Sequence, residues 1–182
     1  MRVHRNSLRG LCAASAATVI ANFNALSEDQ EPVSLVPVLY EPCSVELVTP
    51  SGKNLNPDNI VINNCALRVA ILQLHAEIAE LLGTEDFGLR VSGGFRYRDG
   101  KVHRSASNNS IVDESAEYSQ HLVDEAADIV TKGVPFAVME AARKKTPFAY
   151  GYFKLYEDGH YHVSFPRTAT TKTLFERLND RG

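Results

Sequence analysis

The stretch "SQHLVDEAADI", residues 119 to 129, sets His121 and Asp128 at either end of a small and mostly apolar run. The neighbours of Asp128 in "AADIV" are apolar, so a buried strand is expected there, and a carboxylate in such a strand needs a cation, a metal or several donors to stay ionised. More imidazoles follow in "YGYFKLYEDGHYHVSF". Here Asp158-Gly159, set between two strand-like runs, predicts a β-hairpin that turns on those two residues. Such a turn puts residue 157 opposite 160 and 155 opposite 162. Period-two alternation then sends Glu157, His160, His162 and Ser164 to one face, with Tyr156, Tyr161 and Val163 on the other. Taken alone, that face also reads as a solvated polar surface. Two histidines and a carboxylate, with a fourth position left for water, are one of the ligand sets of catalytic zinc. The candidate ligands are His121, Asp128 and one of His160 or His162.

The segments around these residues show what must hold them. Leu67, Ile71, Leu74, Ile78 and Leu81 recur at helical spacing, with Gly83 in C-cap position, and predict an amphipathic helix from Ala66 to Leu82. "FGLRVSGGFR" reads as a short strand running into glycines, Tyr97 to Tyr118 as a polar stretch, and "EAADIV" as a small-residue strand. "VPFAVMEAARKK" reads as a helix with Pro135 in its first turn and Pro147 as its stop, and "TKTLFERLND" as a short terminal helix. Helices before and between short strands, closed by a hairpin, indicate a small α+β domain.

With 182 residues, 44% of them hydrophobic, the chain suits one domain. The division expected is an N-terminal extension over 1–64 and the domain over 65–182. Residues 27 to 64 are rich in Pro, Asn, Ser and acidic residues and read as a linking or decorating segment, with short β-like runs at "SLVPVLY" and "CSVELVTP". The start of the chain, three arginines ahead of an alanine-rich apolar stretch, reads either as a secretory signal or as an amphipathic helix opening near Asn6 or Ser7. No other stretch approaches the roughly 18 apolar residues of a membrane span.

A formal net charge of −3 with scattered Lys and Arg excludes the basic field of a nucleic-acid binder. Cys12, Cys43 and Cys65 make an odd count without a CxxC pair, which fits neither a disulfide framework nor a cysteine zinc site. Any metal therefore falls to histidines and carboxylates.

"SQHLVDEAAD" resembles the SxHxxGxAxD signature of peptidase family M15, the zinc D-Ala-D-Ala carboxypeptidase, dipeptidase and phage L-alanyl-D-glutamate endopeptidase group. Ser119, His121, Ala126 and Asp128 hold the signature positions, while Asp124 stands where that group has glycine. A positive φ at that point would suit aspartate better than most residues. "VSGGFR" is similar to the group's strand followed by SGYR, and "HYHVSF" to its closing WVHVSF; the likeness covers roughly residues 66 to 166.

The resemblance implies a small hedgehog/DD-peptidase-like α+β domain, with an antiparallel sheet, flanking helices and a closing hairpin. It implies zinc held by His121, Asp128 and His162, with His162 preferred to His160 because "HVSF" aligns on it. Arg96 becomes a binder of a substrate carboxylate or carbonyl, and Ser119 a hydrogen-bonding support of the site. The general base is less determined. Many members carry Asp or Glu three residues before the last histidine, where this chain has Gly159; others carry it earlier, which points to Glu157, with Asp158 second. The segment from Arg96 to Ser119 is longer than usual in the group, so a remodelled cleft rim is expected, with His103 near it. The implied activity is zinc-dependent cleavage of D-amino-acid-containing peptides of bacterial peptidoglycan, by a D,D-carboxypeptidase or a stem-peptide endopeptidase. Its place is the cell wall or periplasm, reached by export, by release at phage lysis or in a virion, and the compact single domain favours the phage endopeptidase. The alternative is a non-catalytic virion or surface structural protein on the same zinc-binding fold.

Overall fold

The helical recurrence of Leu67, Ile71, Leu74 and Ile78 winds into α1, Cys65–Leu82, with these four side chains buried. Asn64 caps its start, its side chain accepting from the backbone N–H of Ala66 and Leu67, and Gly83 ends it at φ 69°. Leu81, expected on the same stripe, is exposed. The structure, a computed structural model, describes residues 43–112 and 117–179. Cys12, the signal-or-helix reading of the N-terminus and the run "SLVPVLY" lie outside the described residues.

After α1 come β1 (Gly88–Gly93), β2 (Arg96–Asp99), β3 (Val102–Ser105), a 3-10 turn (Gln120–Val123), β4 (Ala126–Lys132), α2 (Phe136–Arg143), β5 (Phe153–Leu155), β6 (His160–Ser164) and α3 (Ala169–Asn179). The fold is a small α+β one whose antiparallel four-stranded sheet has the order β1-β4-β6-β5. Leu89, Val91, Ala127, Ile129, Tyr161 and Val163 join the buried side chains of α1 and Met139 and Ala142 of α2 in the main core. Asp128 and His162 alternate with those core residues, so they project from the other face of the sheet. The sheet thus separates the core from the chemistry.

The stretch before α1 does more than decorate. Leu47, Leu55 and Ile62 enter the main core, and the carbonyls of Leu55 and Val61 accept from the N–H of Val91 and Phe95. The outer edge of β1 is thereby covered. The compact unit runs from Cys43 to Gly182.

Contrary to the reading of the cysteines, Cys43 is bonded to Cys65, the first residue of α1. An odd total does not prevent two of its members from pairing, and only the fold shows which two are neighbours.

The polar stretch after Phe95 contains a second, two-stranded sheet, β2 with β3, in which Arg96 lies opposite Ser105 and Arg98 opposite His103. Its residues are polar on both faces, so no hydrophobic period announces it. The β5–β6 hairpin forms as expected, but Leu155 lies opposite Tyr161 and Lys154 opposite His162. Its loop therefore holds three residues, Glu157, Asp158 and Gly159. A two-residue type I′ turn needs positive φ at both central residues. Gly159 has it, at 86°, and Asp158 does not. Among the described residues no helix is long and apolar enough to cross a membrane.

Candidate metal centre

Antiparallel pairing of β4 with β6 sets Asp128 directly opposite His162, and the 3-10 turn just before β4 delivers His121 to the same place. All three side chains are buried, and each offers one ligand atom to a common point. His121 Nε2 lies 3.2 Å from Asp128 Oδ1 and 3.2 Å from His162 Nδ1, and His162 Nδ1 lies 3.1 Å from Asp128 Oδ1.

The hydrogen bonding of His121 decides what this cluster can hold. Its Nδ1 is 2.7 Å from the carbonyl oxygen of Gly94. A carbonyl only accepts, so Nδ1 carries the proton and Nε2 presents a lone pair to the cluster. Burial lowers the pKa of His121 although Asp128 opposes the shift, so the ring stays neutral around pH 7. A proton on His162 Nδ1 serves the contacts that this atom makes. It still leaves His121 Nε2 and Asp128 Oδ1 facing each other as two acceptors. A cation between them removes the conflict. A tetrahedral centre with bonds of about 2.0–2.1 Å sets neighbouring ligand atoms about 3.3 Å apart, close to the observed spacing. The residues present fit a divalent ion.

Asp128 is held as an anion from its other side. Its Oδ2 accepts from Arg96 Nη2 at 2.8 Å. Burial alone would push the carboxyl up, but the Arg96 guanidinium and the hydrogen bond from His162 hold it well below the usual carboxylate range. Two glycines make this possible. A Cβ at Gly93 would overlap Asp128 Oδ2, and one at Gly94 would overlap the carbonyl of Val61. The Ser92-Gly93-Gly94 run thus clears space for one ligand and supplies the carbonyl that orients another.

The mouth of the centre departs from expectation. The one-residue difference in register removes Glu157 from the histidine face and puts Tyr156 there, opposite His160. Glu157 is exposed in the loop. Asp158 reaches back, its Oδ1 2.6 Å from His160 Nδ1, while His160 Nε2 lies 3.9 Å from Asp128 Oδ1. The ring of Tyr156 stacks on His160 with centroids 4.5 Å apart, and Tyr152 meets His162 edge-on at 5.5 Å. Tyr152 and Tyr156 were invisible as site residues because the two-residue turn placed Tyr156 on the wrong face. The signal that could have found them is the alternative loop, in which glycine at the third position takes positive φ.

No known family model matches this chain. No curated protein does either.

Of the other expected residues, Arg96 lies at the centre, as partner of Asp128. Ser119 precedes the 3-10 turn and makes no side-chain cap bond; its carbonyl accepts from Leu122 N–H. His103 is buried on β3, its Nδ1 without a hydrogen-bond partner among the described residues. Asp124 has φ 53°, the left-handed conformation that the group's glycine would adopt easily. A cleft of about 360 Å³ opens beside Asp128 and Arg96, lined also by Ser92, Ser105, Asn108 and Ile111.

Proposed function

We propose that the chain is a zinc metallopeptidase acting on D-amino-acid-containing peptides of the bacterial cell wall. The observation that carries this reading is the meeting of two histidine nitrogens and one carboxylate oxygen, mutually 3.1–3.2 Å apart, in a buried cluster beside an open cleft. Imidazole and carboxylate at tetrahedral spacing suit zinc, with a fourth position free for water or substrate. The substrate class rests on the three motifs and their order, which resemble those of the zinc carboxypeptidase and endopeptidase group. The disulfide suits work in oxidising surroundings such as the periplasm or cell exterior.

When bound, zinc supplies the Lewis acidity that polarises a scissile carbonyl and makes water a nucleophile near neutral pH. The proton falls to His160. Its Nδ1–H donates to Asp158, which leaves Nε2 free to accept a proton on the side facing Asp128 and later to return it to the leaving amine. Arg96 keeps Asp128 ionised and places a cation at the edge of the cleft, where a substrate carboxylate or carbonyl would lie.

A digest of purified peptidoglycan, with and without chelator and read by mass spectrometry, tests the proposal. Loss of single alanines marks a D,D-carboxypeptidase, and freed stem peptides mark an endopeptidase; both vanish with chelator and return with zinc. The second reading is a structural protein that keeps the metal without hydrolysis. The exposed position of Glu157 and the glycine at 159 favour it. One bound zinc with no cleavage of any wall type would establish it instead.

A further inference from the structure

We infer that Asp124 is a positioning residue for the metal centre, its buried carboxylate pinning the turn between His121 and Asp128 to the N-terminus of α1. The inference rests on the metal reading above and adds a residue that touches no ligand atom. Asp124 is 1% exposed and sits between the two ligands that the turn must place. Its Oδ2 accepts from the N–H of Asn63 at 2.5 Å and of Asn64 at 2.8 Å, and its backbone carbonyl accepts from Asn64 Nδ2 at 3.0 Å. The same Asn64 side chain turns its oxygen to the N–H of Ala66 and Leu67. One asparagine therefore caps the helix and grips the ligand turn. The carboxylate also lies at the positive end of the α1 dipole.

Glycine at this position would take the same backbone conformation with greater freedom and without an anchor. Here aspartate adds a tertiary clamp to a helix 60 residues away. The clamp matters because metal ligation tolerates errors of only about 0.2 Å in ligand distance. Residues that orient ligands without touching the ion typically cost 10- to 100-fold in affinity when removed.

The test is competition for Zn²⁺ against a chromophoric chelator, using the full chain as wild type, Asp124→Gly and Asp124→Asn. Each is measured well below its own metal-free melting temperature. The expected result is a zinc Kd at least about 10-fold weaker for the glycine variant, with near-UV dichroism intact. The asparagine variant keeps an acceptor oxygen and should fall between the two; it also carries the comparison if the glycine variant fails to fold. A merely structural role would lower the melting temperature and leave Kd in place. Equal affinity in a zinc-binding wild type and both variants would overturn this inference alone. A wild type that takes up no zinc would remove the metal reading and the inference with it.

Discussion

Glu157 and His160 stand on either side of Asp158-Gly159 and offer two different proton acceptors. The exposed loop position of Glu157 predicts that Glu157→Gln keeps its turnover within about twofold. His160→Ala should lose about 10²–10⁴-fold in kcat while zinc stays bound, the range for a general base. Turnover lost in Glu157→Gln with zinc retained would return the role to that glutamate. Gly93→Ala tests the clearance beside Asp128: its Cβ would overlap Oδ2, so zinc content should fall although no ligand is changed. At this scale the sequence disclosed the chemistry of Asp128, because apolar neighbours around an acid imply a partner. Side-chain alternation alone left His160 and His162 undecided, since both lie on one face; the resemblance preferred His162, and the pairing of Asp128 with His162 sets that ring opposite the acid.

Among the elements, α1 was legible from apolar residues at helical spacing, β4 from a run of small and apolar residues, and α2 from the prolines that bracket it. The β2–β3 ribbon was not, being polar on both sides, and the hairpin was legible in kind but not in register. Asp-Gly closes loops of two or three residues, and the difference exchanges Glu157 for Tyr156 beside the histidines. The segment from 43 to 64 escaped because its core residues, Leu47, Leu55 and Ile62, are too widely spaced to show a period. Its tether gives a prediction of its own. The Cys43–Cys65 bond closes a loop over a separation of 22 residues. Its removal by Cys43→Ser with Cys65→Ser should cost about 3 kcal/mol, read as a lower denaturation midpoint. An unchanged midpoint would mean that the segment stays in the core without the bond.

Taken together, the described residues set their chemistry on one face of a sheet and their core on the other, and burial on both sides shapes the response to acid. Burial lowers the pKa of His121 and, together with Lys53, that of His75. The unfolded chain takes up protons below about pH 6.5 that these folded rings refuse, so their contribution to stability falls as pH drops through that value. Asp124 runs the other way. Burial, opposed by hydrogen bonds from Asn64 and Asn63, raises it from 3.8 to about 6. The folded protein thus holds a proton that the unfolded chain lacks between those values, and the resulting stability is lost as pH rises through about 6. Metal-free Asp124→Asn should therefore lose stability on acidification more steeply than metal-free wild type, as denaturant midpoints between pH 7.5 and 5 would show. Parallel pH profiles would contradict this balance.

The proposed function stands on one metal ion held by His121, Asp128 and His162. Elemental analysis of the purified chain after exposure to Zn²⁺ and gel filtration tests it most directly, with His121→Ala and His162→Ala alongside. One zinc per wild-type chain is expected, and none retained by either variant. A wild type without stoichiometric metal, or variants that keep it, would contradict it.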